Sequence, residues 1–225
     1  MVARLIVQTL LWYGGMGLLL FVAAGTVEWP AAWIFLAQAI VVSLVGGLWL
    51  ARYDPALFQE RLGAPIQKDQ PTADKIVLTV FIVGFLGAHV LMALDAVRFR
   101  WSSVPLSVQV FGELILLISL WISFRVLREN SFAAPVVKIQ EDRRQTVIST
   151  GLYRYVRHPM YAGALLYLVG TSLLLGSLRG LAAVVVLAIL LGIRIQIEEK
   201  ALRAGLEGYD DYAARVRYRL IPRVW

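Results

Sequence analysis

Gly151-Leu-Tyr-Arg-Tyr-Val-Arg-His-Pro-Met-Tyr-Ala-Gly163 is a basic, aromatic segment that passes without a break into an apolar one. Proline has no N–H and a fixed φ, which suits the first turn of a helix, where that donor lacks an intrahelical partner anyway. The stretch therefore predicts a membrane helix starting at Pro159, with cationic, imidazole and phenol groups around its N-terminus. Such an end carries unpaired N–H groups and the positive pole of the helix dipole, both favourable to an anionic ligand group.

The remaining composition agrees with a membrane setting. Of 225 residues 59% are hydrophobic, and the mean hydropathy is +0.70, too apolar for an ordinary soluble domain. Cysteine is absent, which excludes disulfides, thiolate nucleophiles and Cys-based metal sites; with only His89 and His158, no His-rich metal centre is expected either. The net charge of +7 points to cytoplasmic loops and anionic lipid, not to nucleic acid. The N-terminal apolar run has no small-residue cleavage site and reads as a retained first helix.

Six apolar segments are long enough to span, at about 20 residues each: Leu5–Ala24, Pro30–Leu50, Ile76–Ala96, Leu106–Leu127, Met160–Leu178 and Leu181–Ile197. With both termini inside, all of the 22 Lys and Arg except Arg98, Arg100 and Arg179 fall on the cytoplasmic side. The expected fold is an all-α polytopic bundle of about six spans. Residues 1–128 form the N-terminal helices, and residues 129–225 form a loop, a helical hairpin and a C-terminal cap within one membrane domain. The long inner segments face the cytoplasm and hold enough polar chain for a pocket.

Four stretches carry candidate chemistry. Tyr53–Leu62 reads as a short amphipathic helix begun by Asp54-Pro55, with Leu57, Phe58 and Leu62 on the membrane surface. The loop 130–156 alternates apolar and polar residues, which suggests extended chain with a turn at Gly151, or a small strand pair over the helix ends. Arg194 and Glu198 share a face of the last span, and an arginine a turn inside an apolar segment is costly unless it meets a cavity or a partner. Tyr209, Tyr212 and Val216 fall on one face of a short tail helix that could lie over the pocket. Taken singly, each also fits an interface anchor or a snorkelling pair. The tight turn Gly176–Gly180, however, forces the inner ends of the last two spans together, so that Arg157, His158, Tyr161, Arg194 and Glu198 converge.

The pattern Gly-x-Tyr-x-x-x-Arg-His-Pro-x-Tyr-x-Gly, followed by a hairpin ending Arg-x-x-x-Glu-Glu and by Tyr-x-x-Tyr-x-x-Arg-Val, resembles the isoprenylcysteine carboxyl methyltransferase family of integral-membrane methyltransferases. The match runs from about Asn130 to the C-terminus. It implies S-adenosylmethionine as cofactor, in a cytoplasm-facing pocket of a multi-pass membrane protein. Contacts would come from Gln140, from Gln145, Thr146, Val147 and Ile148, from Tyr153, from His158, Pro159, Met160 and Tyr161, and from Glu198 or its neighbour Glu199. Arg194, which matches an arginine that holds the substrate carboxylate, and Arg157 are the expected catalytic residues; no metal is implied. The implied partners are membrane lipids and a lipophilic small-molecule or prenylated acceptor, most directly a prenylated cysteine carboxylate. Phospholipid amines, small thiols and an NADPH-dependent reduction in a similar pocket are the alternatives.

Overall fold

The structure, a computed structural model, describes residues 2–68 and 70–225. Its helices are α1 (Val2–Ala24), α2 (Pro30–Tyr53), α3 (Pro55–Arg61), α4 (Thr72–Ala93), α5 (Leu106–Glu129), α6 (Pro159–Leu174), α7 (Leu178–Gly205) and α8 (Tyr209–Arg215). A π-turn at Leu94–Arg98 extends α4, and 3-10 turns cover Glu141–Arg143 and Gly151–Arg154. No strand occurs among the described residues.

Proline opens α2, α3 and α6, and Ser177 caps α7 by accepting a hydrogen bond from the Gly180 N–H at 2.9 Å. Among the described residues five helices are long and apolar enough to cross a membrane: α1, α2, α4 with its π-turn, α5 and α7. The expected fifth span, Met160–Leu178, is shorter than expected. Helix α6 has 16 residues, because Gly176 takes φ +80° and turns the chain into α7. At 1.5 Å per residue it is about 24 Å long, less than a bilayer core of about 30 Å. None of its residues is exposed. A helix wrapped by protein need not match the lipid thickness, which is the constraint that the other five obey.

Close packing of α5 on α6 depends on two glycines. A Cβ on Gly112 would lie 2.9 Å from the Gly170 carbonyl oxygen, and one on Gly170 would lie 2.8 Å from that of Gly112. Further along, the Ser119 hydroxyl donates to the Gly163 carbonyl at 2.8 Å. The main core gathers Leu20, Phe35, Met92, Leu116, Leu168 and Leu187 from six helices. Val7, Leu11, Val22, Val45, Val83 and Val185 remain exposed on the outer faces, an apolar surface that suits lipid and not water.

The turn of the α6–α7 hairpin is fixed at the end of the bundle away from Pro159. Asp95, fully buried in the π-turn, accepts from the Ser177 hydroxyl at 2.6 Å, the Ser102 hydroxyl at 2.7 Å and the Arg179 N–H at 3.1 Å. At the opposite end α3 forms as expected, with the Asp54 carboxylate capping the Leu57 N–H at 2.9 Å. Its apolar face departs from expectation. Leu57 and Phe58 are buried with Leu5, Leu50 and Leu62, so α3 packs on α1 and α2 instead of lying on the membrane surface. The segment 131–150 is non-helical apart from the turn at Glu141–Arg143 and forms no ladder, so it is extended chain and not a strand pair. Gly151, at φ +55°, supplies the turn before Pro159.

Candidate functional site

A cavity of about 580 Å³ opens at the end of the bundle where α4 and α6 begin and α5 and α7 end. That volume lies within the range of about 300–1,000 Å³ usual for small-molecule sites. One sector is polar, with Asn130, Gln145, Tyr153, Tyr161, Arg194 and Glu198. The other is apolar, with Trp12, Leu78, Phe81, Ala164 and Leu191 reaching into the helical bundle.

The start of α6 is held by the chain that follows α8. The Arg157 and His158 N–H groups donate to the Tyr218 and Arg219 carbonyls, both at 2.9 Å. The Arg157 side chain donates to Glu199 at 2.7 Å and to the Val216 and Arg217 carbonyls at 2.7 and 2.9 Å. Glu199 also meets His158 Nε2 at 3.2 Å and the Arg219 guanidinium at 3.1 Å. The anionic group expected at this helix start is thus supplied by the chain itself. Arg157, expected to be catalytic, lines the cavity, with its guanidinium paired to Glu199.

Successive helical residues point about 100° apart, and the two glutamates separate accordingly. The Glu199 side chain is 5% exposed and faces the tail, whereas that of Glu198 is 29% exposed and lines the cavity. Glu198 accepts from the Tyr161 hydroxyl at 2.7 Å and lies 3.8 Å from His158 Nδ1.

Arg194 finds its carboxylate elsewhere than at Glu198, one turn along its own helix. Its Nε donates to Asp74 of α4 at 2.8 Å, across 120 residues of sequence, and its Nη2 donates to the Pro135 carbonyl at 2.6 Å. The guanidinium lies 5.7 Å from the Tyr161 ring centroid. Asp74 is fully buried and also accepts from Gln70 Nε2 at 2.6 Å and the Val137 N–H at 3.1 Å. Sequence reasoning missed Asp74. The available signal was a carboxylate at the mouth of an apolar span, a position such groups occupy only with a partner.

The tail helix covers the cavity as its tyrosine spacing foretold. Tyr209 and Tyr212 are buried and line it, and the Tyr212 hydroxyl donates to the Tyr153 carbonyl at 2.8 Å. Tyr153 in turn accepts from Asn130 Nδ2 at 2.7 Å. Burial pushes the Tyr212 phenol up to about 12 and raises those of Tyr153 and Tyr209 as well. All three are neutral at ordinary pH, and so are not bases: the Tyr212 hydroxyl donates, the Tyr153 hydroxyl accepts, and the buried Tyr209 hydroxyl has no partner among the described residues.

Of the residues expected in the site, Gln145, Thr146, Val147, Ile148, Tyr153, Arg157, His158, Met160, Tyr161, Arg194 and Glu198 line the cavity. Gln140, Pro159 and Glu199 do not. Pro159 is buried in the first turn of α6. Gln140 is buried in the loop: Nε2 donates to the Phe132 carbonyl at 2.9 Å and Oε1 accepts from Arg143 at 2.6 Å. Its N–H donates to Gln145 Oε1 at 2.8 Å, so it shapes the loop from behind. Thr146, Val147 and Ile148 make no backbone–backbone hydrogen bond among the described residues, so their peptide groups are available to a ligand. Trp12, Leu78, Phe81 and Leu191 were not foreseen, because one apolar residue among many in a span has no distinguishing mark.

Residues 108–206 match the family described as Phospholipid methyltransferase. Over 118 residues the chain is 35% identical to a probable protein-S-isoprenylcysteine O-methyltransferase of Oryza sativa subsp. indica, across 51% of this chain and 58% of the relative. A counterpart from Oryza sativa subsp. japonica gives the same figures. Protein-S-isoprenylcysteine O-methyltransferase B of Arabidopsis thaliana is 32% identical over 83 residues, 36% of this chain and 42% of that protein. The chain thus spans a little over half the length of the rice relatives it matches.

Proposed function

We propose that this chain, isoprenylcysteine carboxyl methyltransferase-like through its C-terminal half, transfers a methyl group from S-adenosylmethionine to a lipid-linked carboxylate such as that of a prenylated cysteine. The observation that carries the reading is one cavity joining the open Glu198 carboxylate, the unbonded peptide groups of Thr146–Ile148 and an apolar sector inside the bundle. These donors and acceptors fit the cofactor's chemistry: peptide edges for a purine, and a carboxylate for hydroxyl or ammonium groups. When bound, the cofactor supplies a methyl group on a positively charged sulfur, open to in-line attack.

The protein's own part is alignment and exclusion of water. A carboxylate with an ordinary pKa of about 4 is already ionised and needs no base, which agrees with a site whose phenols are neutral. Arg194 is held rigid by Asp74 and the Pro135 carbonyl, and its Nη1 makes no hydrogen bond among the described residues. That group is the natural donor to the acceptor's carboxylate. Trp12, Leu78, Phe81, Ala164 and Leu191 would take the lipid tail, at about 0.8 kcal/mol per buried CH₂. Tyr209 and Tyr212, backed by Val216, close the polar side against water. The basic residues concentrated at this end of the bundle support a cytoplasm-facing cavity, to which a soluble cofactor has direct access.

Calorimetry with S-adenosylhomocysteine on the purified protein tests the cofactor assignment. Saturable binding to the wild type, weakened by Glu198→Ala, is expected; no binding to the wild type would overturn the reading.

A further inference from the structure

The cations that line the cavity are not alike. Lys138 pairs with Glu60 at 2.6 Å, Arg157 with Glu199 at 2.7 Å and Arg194 with Asp74 at 2.8 Å, while His158 meets Glu199 at 3.2 Å. Arg61, the last residue of α3, is the exception. It lines the cavity, donates Nη1 to the Ala133 carbonyl at 2.9 Å, and has no carboxylate within ion-pair distance among the described residues. Its side chain is exposed, and the helix that carries it is fixed. Leu57 and Phe58 anchor α3 in the core below it, Asp54 caps the helix, and the Ser131 hydroxyl ties Asp54 to the loop that carries Ala133. Glu198, the carboxylate of the lining, is bonded to a neutral phenol and lies beyond ion-pair reach of Arg61. The cavity therefore presents one cation without a carboxylate partner among the described residues and one carboxylate, neither neutralised by the other.

Taking the methyltransferase reading as given, we propose that Arg61 receives a carboxylate brought into the cavity by a ligand, either the α-carboxylate of the methyl donor or the acid group of the acceptor. An arginine fork fixed by a backbone carbonyl at one Nη retains N–H groups for a charge-assisted bond. The pairing also balances charge, since a methyl donor with a net positive sulfonium and an anionic acceptor add no net charge to a lining that is already balanced.

The test uses full-length protein with Arg61→Gln, which keeps an amide donor for the Ala133 carbonyl but removes the charge, and Arg61→Lys, which keeps the charge. Binding of S-adenosylmethionine and of its decarboxylated analogue is measured by calorimetry, together with KM and kcat for a prenylated cysteine acid. If the donor's carboxylate is the ligand, Arg61→Gln weakens S-adenosylmethionine by about 10- to 100-fold, spares the decarboxylated analogue, and Arg61→Lys recovers part of the loss. If the acceptor's acid is the ligand, donor affinity holds while acceptor KM rises by a similar factor with kcat kept. Equal weakening of both donor forms, or no change in any constant, overturns the assignment. Should Arg61→Gln not fold, Arg61→Lys takes its place: it must weaken the carboxylate-bearing donor or acceptor several-fold and spare the decarboxylated or amide form, and equal effects on both forms, or none, overturn the assignment. A wild type that binds no donor at all refutes the methyltransferase reading, and with it this one, whereas unchanged variants of a binding wild type refute only the role of Arg61.

Discussion

Adjacent glutamates at the end of α7 should give opposite phenotypes. Glu199 accepts from Arg157, His158 and Arg219, and both Glu199 and Arg157 are buried. Glu199→Ala leaves Arg157 as an unpaired charge in a dry site, a loss of about 3–5 kcal/mol for a broken buried pair. For a chain of this size each kcal/mol moves the unfolding midpoint by about 2–4 °C, so a fall of about 6–20 °C is expected. Glu198 has Tyr161 as its hydrogen-bond partner and a side chain 29% exposed, and Glu198→Ala should cost about 1 kcal/mol of stability. Its effect belongs to the ligand: loss of charge-assisted bonds to the cofactor weakens binding by about 10- to 100-fold. The assay pairs thermal unfolding in detergent with calorimetric titration of S-adenosylhomocysteine. If Glu199→Ala lowered affinity without lowering stability, or if the two variants behaved alike, the division of roles drawn from their geometry would be refuted.

Arg194→Ala should retain cofactor affinity while turnover falls to background in a methyl-transfer assay. Asp74→Ala, which strands Arg194 near Pro135, should lose about 3–5 kcal/mol in thermal unfolding, and the double replacement Asp74→Leu/Arg194→Met should recover most of that loss. Tyr212 has a phenol pKa raised by burial to about 12 against the usual 10.0, so the fold favours its neutral form; that stabilisation is full below pH 10 and is lost between pH 10 and 12. Unfolding midpoints measured across that window should fall, and fall less in Tyr212→Phe. Gly170→Ala would press a Cβ to 2.8 Å from the Gly112 carbonyl oxygen and 2.7 Å from the Leu116 nitrogen, and should lower the melting midpoint by an amount equivalent to about 1–3 kcal/mol.

The helical membrane class and the convergence of the hairpin ends were legible because they depend on averages and on chain length. Hydropathy over some 20 residues does not change with one misjudged position, and the five-residue turn Gly176–Gly180 leaves the two helices no freedom to separate. The tail helix was legible from tyrosines at helical spacing. The length of α6 was not, because the hydropathy that marks a span cannot say whether lipid or protein surrounds it, and α6 has no exposed residue. Asp74 was missed because its pairing with Arg194 arises from the packing of α4 on α7, which no local pattern records. Which of Glu198 and Glu199 faces the cavity depends on helical phase around α7, and the ring of Arg157, His158 and Arg219 around Glu199 leaves Glu198 on the cavity side. Leu57 and Phe58 were placed on the wrong surface because an apolar face suits a bilayer and a protein core equally well.

One measurement bears most directly on the proposed activity. The protein, reconstituted in lipid bilayers, is incubated with methyl-labelled S-adenosylmethionine and a prenylated cysteine bearing a free carboxylate, and the labelled product is treated with mild alkali. A methyl ester, released as labelled methanol by alkali and absent with Arg194→Ala, is expected. Label that resists alkali, as on an amine or thiol, or no transfer to the acid, would contradict methylation of a lipid-linked carboxylate.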